Sequence, residues 1–135
     1  NDMTYSGALS FLRRKYSRDL IGVDVAVTGI PYDCATSNRP GARFGPRGIR
    51  AASTDLASLD AFPFNFDPFK YLAVVDYGDV WLDYGYPQKV VEKVEKHADT
   101  ILNQGTSLLS FGGDHFITYP LLRAHHKVHG PISLI

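Results

Sequence analysis

The strongest constraint on the fold of this chain is the alternation of short apolar runs with amphipathic helical patterns. The apolar runs at 24–30, 71–76 and 106–111 have the lengths and the β-branched or bulky apolar residues of buried strands. Between the second and third runs, residues 87–104 repeat apolar side chains at helical spacing before Gly105. Strands that alternate with helices pair in parallel, so the sequence predicts an α/β sheet that is covered on both faces.

Turn and cap residues predict the remaining elements. Pro46 stands where a helix prefers its first residue, which predicts a short helix over 47–56. A last helix is predicted over 118–128, ended by a Gly-Pro pair, and 131–135 then indicates the start of a fourth strand. The aromatic, proline-rich segment 60–70 is predicted to be a loop that its rings hold against the surface.

Charge and hydropathy exclude several classes of function. The 14 Lys and Arg residues are balanced by 14 Asp and Glu residues, so no excess of positive charge is available to attract a nucleic acid or an anionic membrane. No apolar run reaches the roughly 20 residues that a membrane-spanning helix needs. A length of 135 residues suits one domain with a core of useful size.

The cysteine content and the two ends of the chain predict where the protein works and how much of it is present. Cys34 is the single cysteine, so no disulfide forms within the chain and a reducing, cytoplasmic location is expected. The start at 1–4 has neither the basic region nor the apolar core of a secretory signal. Because position 1 is not Met and residues 131–135 are apolar with no polar tail, we expect a fragment of a longer protein.

The most specific functional motif is the segment 110–115, Ser-Phe-Gly-Gly-Asp-His, which follows the third predicted strand. Parallel α/β sheets bind ligands beyond the carboxyl ends of their strands, so this segment lies where a site is expected. The two glycines allow a tight turn that presents Asp114 and His115. A neutral imidazole there can bind a metal ion, and the adjacent carboxylate can orient it or cap the next helix. The alternative, in which Asp114 is only a cap and His115 an ordinary turn residue, is equally compatible with the local sequence.

The glycine-rich segment 39–50 follows the first predicted strand and leads into a helix, an arrangement that can bind an anion. It lacks the Gly-Lys-Ser/Thr of a phosphate loop and the tighter glycine spacing of a dinucleotide site. We therefore favour a loop folded over the end of the sheet, with its arginines paired with carboxylates.

Three other candidates have a chemical and a structural interpretation. Asp76 and Asp79 leave the second predicted strand and could bind a metal, but strand-end carboxylates more often accept hydrogen bonds from neighbouring loop amides. His125 and His129 are one helical turn apart, as in helical zinc sites, but no Glu follows His125 and no third ligand is evident, which favours a solvated helix face. Cys34 has no histidine near it in the sequence and is interpreted as an ordinary loop residue.

Three segments taken together resemble one enzyme family. They are 29–46 (from Gly-Ile-Pro-Tyr-Asp to Phe-Gly-Pro), 75–80 (Val-Asp-Tyr-Gly-Asp-Val) and 110–115, in the order and at the spacing found in ureohydrolases, the family of arginases and agmatinases. The similarity runs from about Asp24 to the last residue and is to the N-terminal part of the agmatinase type. Three linked motifs are far more specific than an isolated Gly-Gly-Asp-His.

The resemblance implies a three-layer, arginase-like α/β fold with a mainly parallel sheet, of which residues 1–135 form the N-terminal part of a single ureohydrolase domain. It implies two Mn²⁺ ions per subunit at the carboxyl edge of the sheet, with His115 as a ligand of one ion and Asp114 as a residue that orients it. Enzymes of this type hydrolyse agmatine, a small guanidino compound, to putrescine and urea. They form homo-oligomers, often hexamers.

The same resemblance implies that the chain is incomplete. The family pattern requires an Asp-Ala-His-x-Asp segment and, much later, an Asp-x-Asp segment, and both would lie beyond residue 135. With most of the expected ligands absent, these residues alone are expected to be inactive. Two alternatives remain open: another guanidino hydrolase, such as a guanidinobutyrase, or a truncated, non-catalytic chain that only assembles with full-length subunits.

Overall fold

Four parallel strands form a single sheet in the computed structural model, which describes residues 6–56 and 58–135. The strands are β1 (Lys15–Tyr16), β2 (Val25–Ile30), β3 (Val74–Asp79) and β4 (Ser107–Gly112), in the spatial order β1-β3-β2-β4. All of their pairings are parallel, which confirms the prediction drawn from the alternation of strands and helices. Segment 1–4, whose composition is unlike that of a secretory signal, lies outside the described residues.

Within the described residues, the α-helices are α1 (Gly45–Ser53), α2 (Val90–Leu102) and α3 (Thr118–His129). Short 3₁₀ turns lie at Phe11–Arg13, Ala42–Phe44, Pro68–Lys70, Pro87–Lys89 and His115–Ile117. The helices predicted over 47–56, 87–104 and 118–128 are confirmed, with ends that differ by three residues or fewer. None of these helices is long and apolar enough to cross a membrane.

The helices cover both faces of the sheet. Along β2, Ala26 and Ile30 pack on the side of α2, whereas Gly29 on the other face lies against Pro46 of α1. The apolar stripe predicted for α2 is buried, and its members are Val90, Val94, Ala98 and Ile101. A parallel sheet between two helical layers is a three-layer α/β fold, so the predicted fold class is confirmed.

The prediction of a strand over 71–76 is wrong in its limits, because the observed β3 begins and ends three residues later. Gly78, a residue type that usually ends a strand, pairs with Thr28 of β2 after a local shift in register. Pairing with a neighbouring strand therefore outweighs the local preference for a turn. As a consequence, Asp76 is fully buried inside the sheet and does not lie at its edge.

The predictions for segments 131–135 and 60–70 are also wrong. Segment 131–135 forms no strand, because a strand exists only where its backbone pairs with a neighbour, and these residues lie exposed after α3. In the segment 60–70, the Phe62 side chain is 91% exposed and Phe64 is 70% exposed. These two rings therefore do not hold the loop against the surface.

Two consecutive hydrogen bonds join α2 to the sheet. The Thr28 hydroxyl donates to the Gly78 carbonyl at 2.7 Å, so Nε2 of His97 must carry the proton that it donates to the Thr28 hydroxyl, also at 2.7 Å. Burial, followed by the positive charge of Arg18, lowers the pKa of His97 from 6.5 to about 4, while Asp79 acts in the opposite direction. The neutral ring is thus the form that the fold accommodates.

His97 is expected to make the fold sensitive to acid. The unfolded chain binds a proton at His97 near pH 6.5 and the folded chain only near pH 4, so the stability that His97 contributes is full above pH 6.5 and is lost as the pH falls toward 4. Between pH 7 and pH 4.5 this residue should lower the free energy of unfolding by about 2 kcal/mol, allowing for its partial exposure. Urea unfolding of His97→Gln should show a smaller fall than the unmodified protein.

The matched control for this experiment is His126→Gln, a substitution at an exposed position of α3. It should keep the pH dependence of the unmodified protein. An equally steep fall in His97→Gln would show that His97 does not carry the effect.

Candidate active site at the carboxyl edge of the sheet

The carboxyl ends of the neighbouring strands β2 and β4 form a topological switch point of the sheet, which we call the crevice. After β2 the chain passes to the face covered by α1, and after β4 it passes to the face covered by α2 and α3. Neighbouring strands whose connections leave toward opposite faces have an opening between them, and parallel α/β sheets bind ligands at such openings. The loop 31–44 and the Gly-Gly-Asp-His turn meet there. The turn therefore lies where the sequence predicts a site.

The Gly-Gly-Asp-His turn is held by close backbone contacts. Gly113 has a φ of 62°, and a Cβ atom there would lie 2.5 Å from the Ile30 carbonyl oxygen and 2.6 Å from that of Tyr32. Only glycine fits this position without moving the end of β2. The start of α1 approaches from another side, where a Cβ atom on Gly45 would lie 2.6 Å from the carbonyl oxygen of Gly112.

Asp114 joins the turn to the loop and to the next helix. Its Oδ1 accepts the backbone N–H of Phe116 at 3.1 Å, which caps the 3₁₀ turn before α3, and its Oδ2 accepts that of Ala35 at 2.8 Å. Its own N–H donates to the Tyr32 carbonyl at 2.7 Å. The capping role that the sequence offers for Asp114 is confirmed, whereas no pattern in the sequence indicates the contact with Ala35.

His115 is exposed beside the buried Asp114. Its Nδ1 lies 3.2 Å from the Thr118 hydroxyl, a contact that restrains the ring as outer partners restrain metal-binding histidines. Its other ring nitrogen has no protein partner among the described residues. Such an imidazole fits one ligand position of a metal ion. Within 6–56 and 58–135, no group of three or more His, Cys, Asp or Glu side chains could hold a metal ion.

Asp33 is the buried anchor of the loop after β2. Its Oδ1 accepts Nε of Arg43 at 2.6 Å, and its Oδ2 accepts the backbone N–H groups of Gly41 and Arg43. The Arg43 guanidinium, aided by these amides and opposed by burial, holds the pKa of Asp33 down to about 2. Arg43 also stacks on the Tyr84 ring, 4.5 Å from its centroid. The favoured interpretation of 39–50, a loop whose arginines pair with carboxylates, is thus confirmed for Arg43.

Asp76 and Asp79 are both bound by Arg50 of α1. Arg50 donates Nε and Nη2 to Asp76 at 2.7 and 2.9 Å and Nη1 to Asp79 at 2.6 Å. Asp76 also accepts the backbone N–H groups of Phe11 and Gly78. Burial alone raises the pKa of Asp76, but Arg50 and these amides outweigh it, so the pKa is lowered and the carboxylate stays ionised. The favoured interpretation, hydrogen bonds from neighbouring backbone amides, is confirmed for Asp76, whereas Asp79 binds the Arg50 guanidinium instead.

The remaining candidates lie away from the turn or on the surface of the loop. His125 is half-buried, with Nδ1 donating to the Leu121 carbonyl at 2.8 Å, and His129 is exposed one turn further on. Both lie two or more helical turns along α3 from the Gly-Gly-Asp-His turn. Cys34 is exposed, with Sγ 3.9 Å from Nη2 of Arg43. The structure therefore places Asp114 and His115 together at the carboxyl end of β4 and leaves the helical histidines two or more turns away along α3.

Comparison with known proteins agrees with this fold. The chain belongs to the arginase family, which residues 23–135 match. It is 56% identical over 98% of its length to an agmatinase of Chromobacterium violaceum and 47% identical over 96% to an agmatinase of Cronobacter sakazakii. It spans 41% and 44% of the length of these two relatives.

Solved structures show the same similarity. A hypothetical agmatinase from Burkholderia thailandensis has a TM-score of 0.91 at 54% identity, covering 95% of this chain and 40% of its own. Proclavaminate amidino hydrolase from Streptomyces clavuligerus has a TM-score of 0.87 at 34% identity, covering 97% and 43%. A Trypanosoma cruzi formiminoglutamase solved with Mn²⁺ has a TM-score of 0.74 at 25% identity, covering 88% and 40%.

The buried ion pair of Arg50 is expected to make one substitution strongly destabilising. Arg50→Met keeps much of the side-chain volume but leaves Asp76 buried without its main partner. Removing one partner of a buried ion pair costs about 3–5 kcal/mol, so the midpoint of urea unfolding should fall markedly. Arg47→Met, at an exposed position of the same helix, should change the free energy of unfolding by less than about 0.5 kcal/mol. Equal stabilities of the two variants would refute the structural role of Arg50.

Proposed function

We propose that these residues form the N-terminal part of a single ureohydrolase domain in a manganese-dependent agmatinase, which hydrolyses agmatine to putrescine and urea. The observation that carries the proposal is the position of His115, whose imidazole stands exposed at the carboxyl edge of an arginase-family sheet. The identities of 47% and 56% to agmatinases support agmatine as the substrate. We further propose that the enzyme acts in the cytoplasm as a homo-oligomer.

Manganese is the metal that this proposal requires. The structural relative solved with Mn²⁺ supports that choice. His115 would hold one of two ions, and the other ligands would come from the part of the protein that follows residue 135, since the agmatinase relatives are more than twice as long as this chain. Bound Mn²⁺ would polarise the guanidino group and make water a competent nucleophile at neutral pH.

The proposed task of the described residues is to place a metal ligand. Gly113 packs against the loop after β2, and Asp114 binds that loop through its N–H and its carboxylate, so the peptide that carries His115 has little freedom. The Thr118 hydroxyl then restrains the ring. A ligand that is held in place before the metal arrives binds it with a smaller loss of conformational entropy.

His115→Ala in the full-length protein tests the proposal. Loss of the imidazole should remove one coordinate bond, so the manganese content should fall below two ions per subunit. Turnover should fall by more than about 100-fold, because even the loss of an outer partner costs about 10- to 100-fold. Metal analysis of the purified protein and initial rates of urea release measure the two effects.

His125→Ala and His129→Ala are the matched controls, since both imidazoles lie outside the crevice. They should leave the metal content and turnover close to those of the unmodified protein. Full metal content with near-normal turnover in His115→Ala would end the assignment of His115.

A second candidate is another guanidino hydrolase, such as a guanidinobutyrase, and the similarity to proclavaminate amidino hydrolase supports it. Agmatine ends in an ammonium group, which needs carboxylate or carbonyl partners, whereas a guanidino acid ends in a carboxylate, which needs arginine or N–H donors. Rates of urea release from agmatine and from 4-guanidinobutanoate distinguish the two. We expect kcat/KM for agmatine to be at least about 100-fold higher. The reverse preference would replace agmatine as the substrate, and no release from either would favour the non-catalytic alternative.

A further inference from the structure

The loop after β2 holds the Gly-Gly-Asp-His turn from two sides. Its first limb, 32–35, makes two hydrogen bonds with Asp114, of 2.7 and 2.8 Å. In its second limb, 41–45, the carbonyl oxygen of Ala42 accepts the N–H of Gly113 at 3.3 Å. Gly45, in the same limb, packs directly against the carbonyl oxygen of Gly112. The position of the turn therefore depends on the position of the two limbs relative to each other.

Asp33 joins the two limbs. It belongs to the first limb, but its carboxylate accepts N–H groups from the second: those of Gly41 at 2.7 Å and Arg43 at 3.1 Å, and Nε of Arg43 at 2.6 Å. Asp33 is 1% exposed, so water has little access to replace these donors. A buried, ionised carboxylate bound by several N–H groups is a strong and directional link.

We propose that Asp33 is a positioning residue for the metal ligand His115. It acts through the two limbs and the turn, without contact with the metal, and this inference rests on the proposed function. Without the link, the loop between the limbs, which contains Ser37 and Asn38, would gain conformations that metal binding must remove. The cost would therefore appear in the affinity for the metal as well as in the stability of the fold.

Asp33→Asn in the full-length protein should weaken Mn²⁺ binding by about 10- to 100-fold, the range typical of partners that orient metal ligands. The titration is followed by the electron paramagnetic resonance of free Mn²⁺, well below the melting temperature of each variant. Arg43→Lys is a second variant, which keeps the positive charge and the backbone hydrogen bonds but loses the planar guanidinium. It should show a smaller loss of affinity in the same direction.

Asp67→Asn is the matched control. Asp67 also accepts a backbone N–H within a loop, that of Phe69 at 2.9 Å, but it caps the Pro68–Lys70 turn and has no link to the crevice. Its substitution should leave the Mn²⁺ affinity within about twofold of the unmodified value, as expected for a surface change away from the site. Melting temperatures measured with a chelator report the stability of each metal-free variant separately.

Unchanged Mn²⁺ affinity in Asp33→Asn overturns the proposal, even if the melting temperature falls, because the role of Asp33 would then be purely structural. If Asp33→Asn does not fold, Arg43→Lys decides: weakened binding supports the proposal, and unchanged binding overturns it. His115→Ala in the same titration separates this inference from the proposed function. If His115→Ala binds Mn²⁺ normally, the proposed function fails; if only the Asp33 and Arg43 variants bind normally, only the positioning role fails.

Discussion

Arg50 reaches from α1 to the sheet, where Asp76 and Asp79 accept three of its N–H groups. Because Asp76 also accepts the N–H of Phe11, the N-terminal segment, α1 and β3 meet at one buried carboxylate. Buried ions are stable only when they are paired, so displacing α1 would leave an uncompensated charge in the sheet. Since α1 begins at Gly45, beside the Gly-Gly-Asp-His turn, the same ion pair also fixes one wall of the crevice.

The acidic side chains that border the turn or pack against α1 bind protein groups, so they are not free to bind a metal ion. Asp33 binds Arg43, Asp76 binds Arg50, and Asp114 accepts two backbone N–H groups. Asp33 and Asp114 hold the loop and the turn at the carboxyl edge, Asp76 lies buried within the sheet, and His115 is left exposed beside Asp114. The scaffold of the proposed site thus lies within a chain that spans 41–44% of its agmatinase relatives, and we propose that the remaining ligands follow it in the sequence.

The sequence predicts the long, strongly patterned elements well and the short or tertiary ones poorly. Helix α2 was predictable from apolar residues at helical spacing, and the turn from two glycines at the end of a strand. In contrast, β1 is only two residues long and has no pattern, and β3 runs past Gly78 because β2 pairs with it. The sequence predicts that arginines of the loop pair with carboxylates. The sequence does not show which carboxylate each arginine binds, because this depends on how the loop and α1 fold over the sheet. In the structure, Arg43 binds Asp33 and Arg50 binds Asp76.

The central claim is that His115 is a metal ligand at the carboxyl edge of the sheet, and locating the metal tests it most directly. Crystals of the full-length protein grown with Mn²⁺, measured on both sides of the manganese absorption edge, give anomalous maps that identify both the element and its position. We expect a manganese peak within coordination distance of a ring nitrogen of His115. Manganese bound only elsewhere, with the His115 ring free of metal, would contradict the claim.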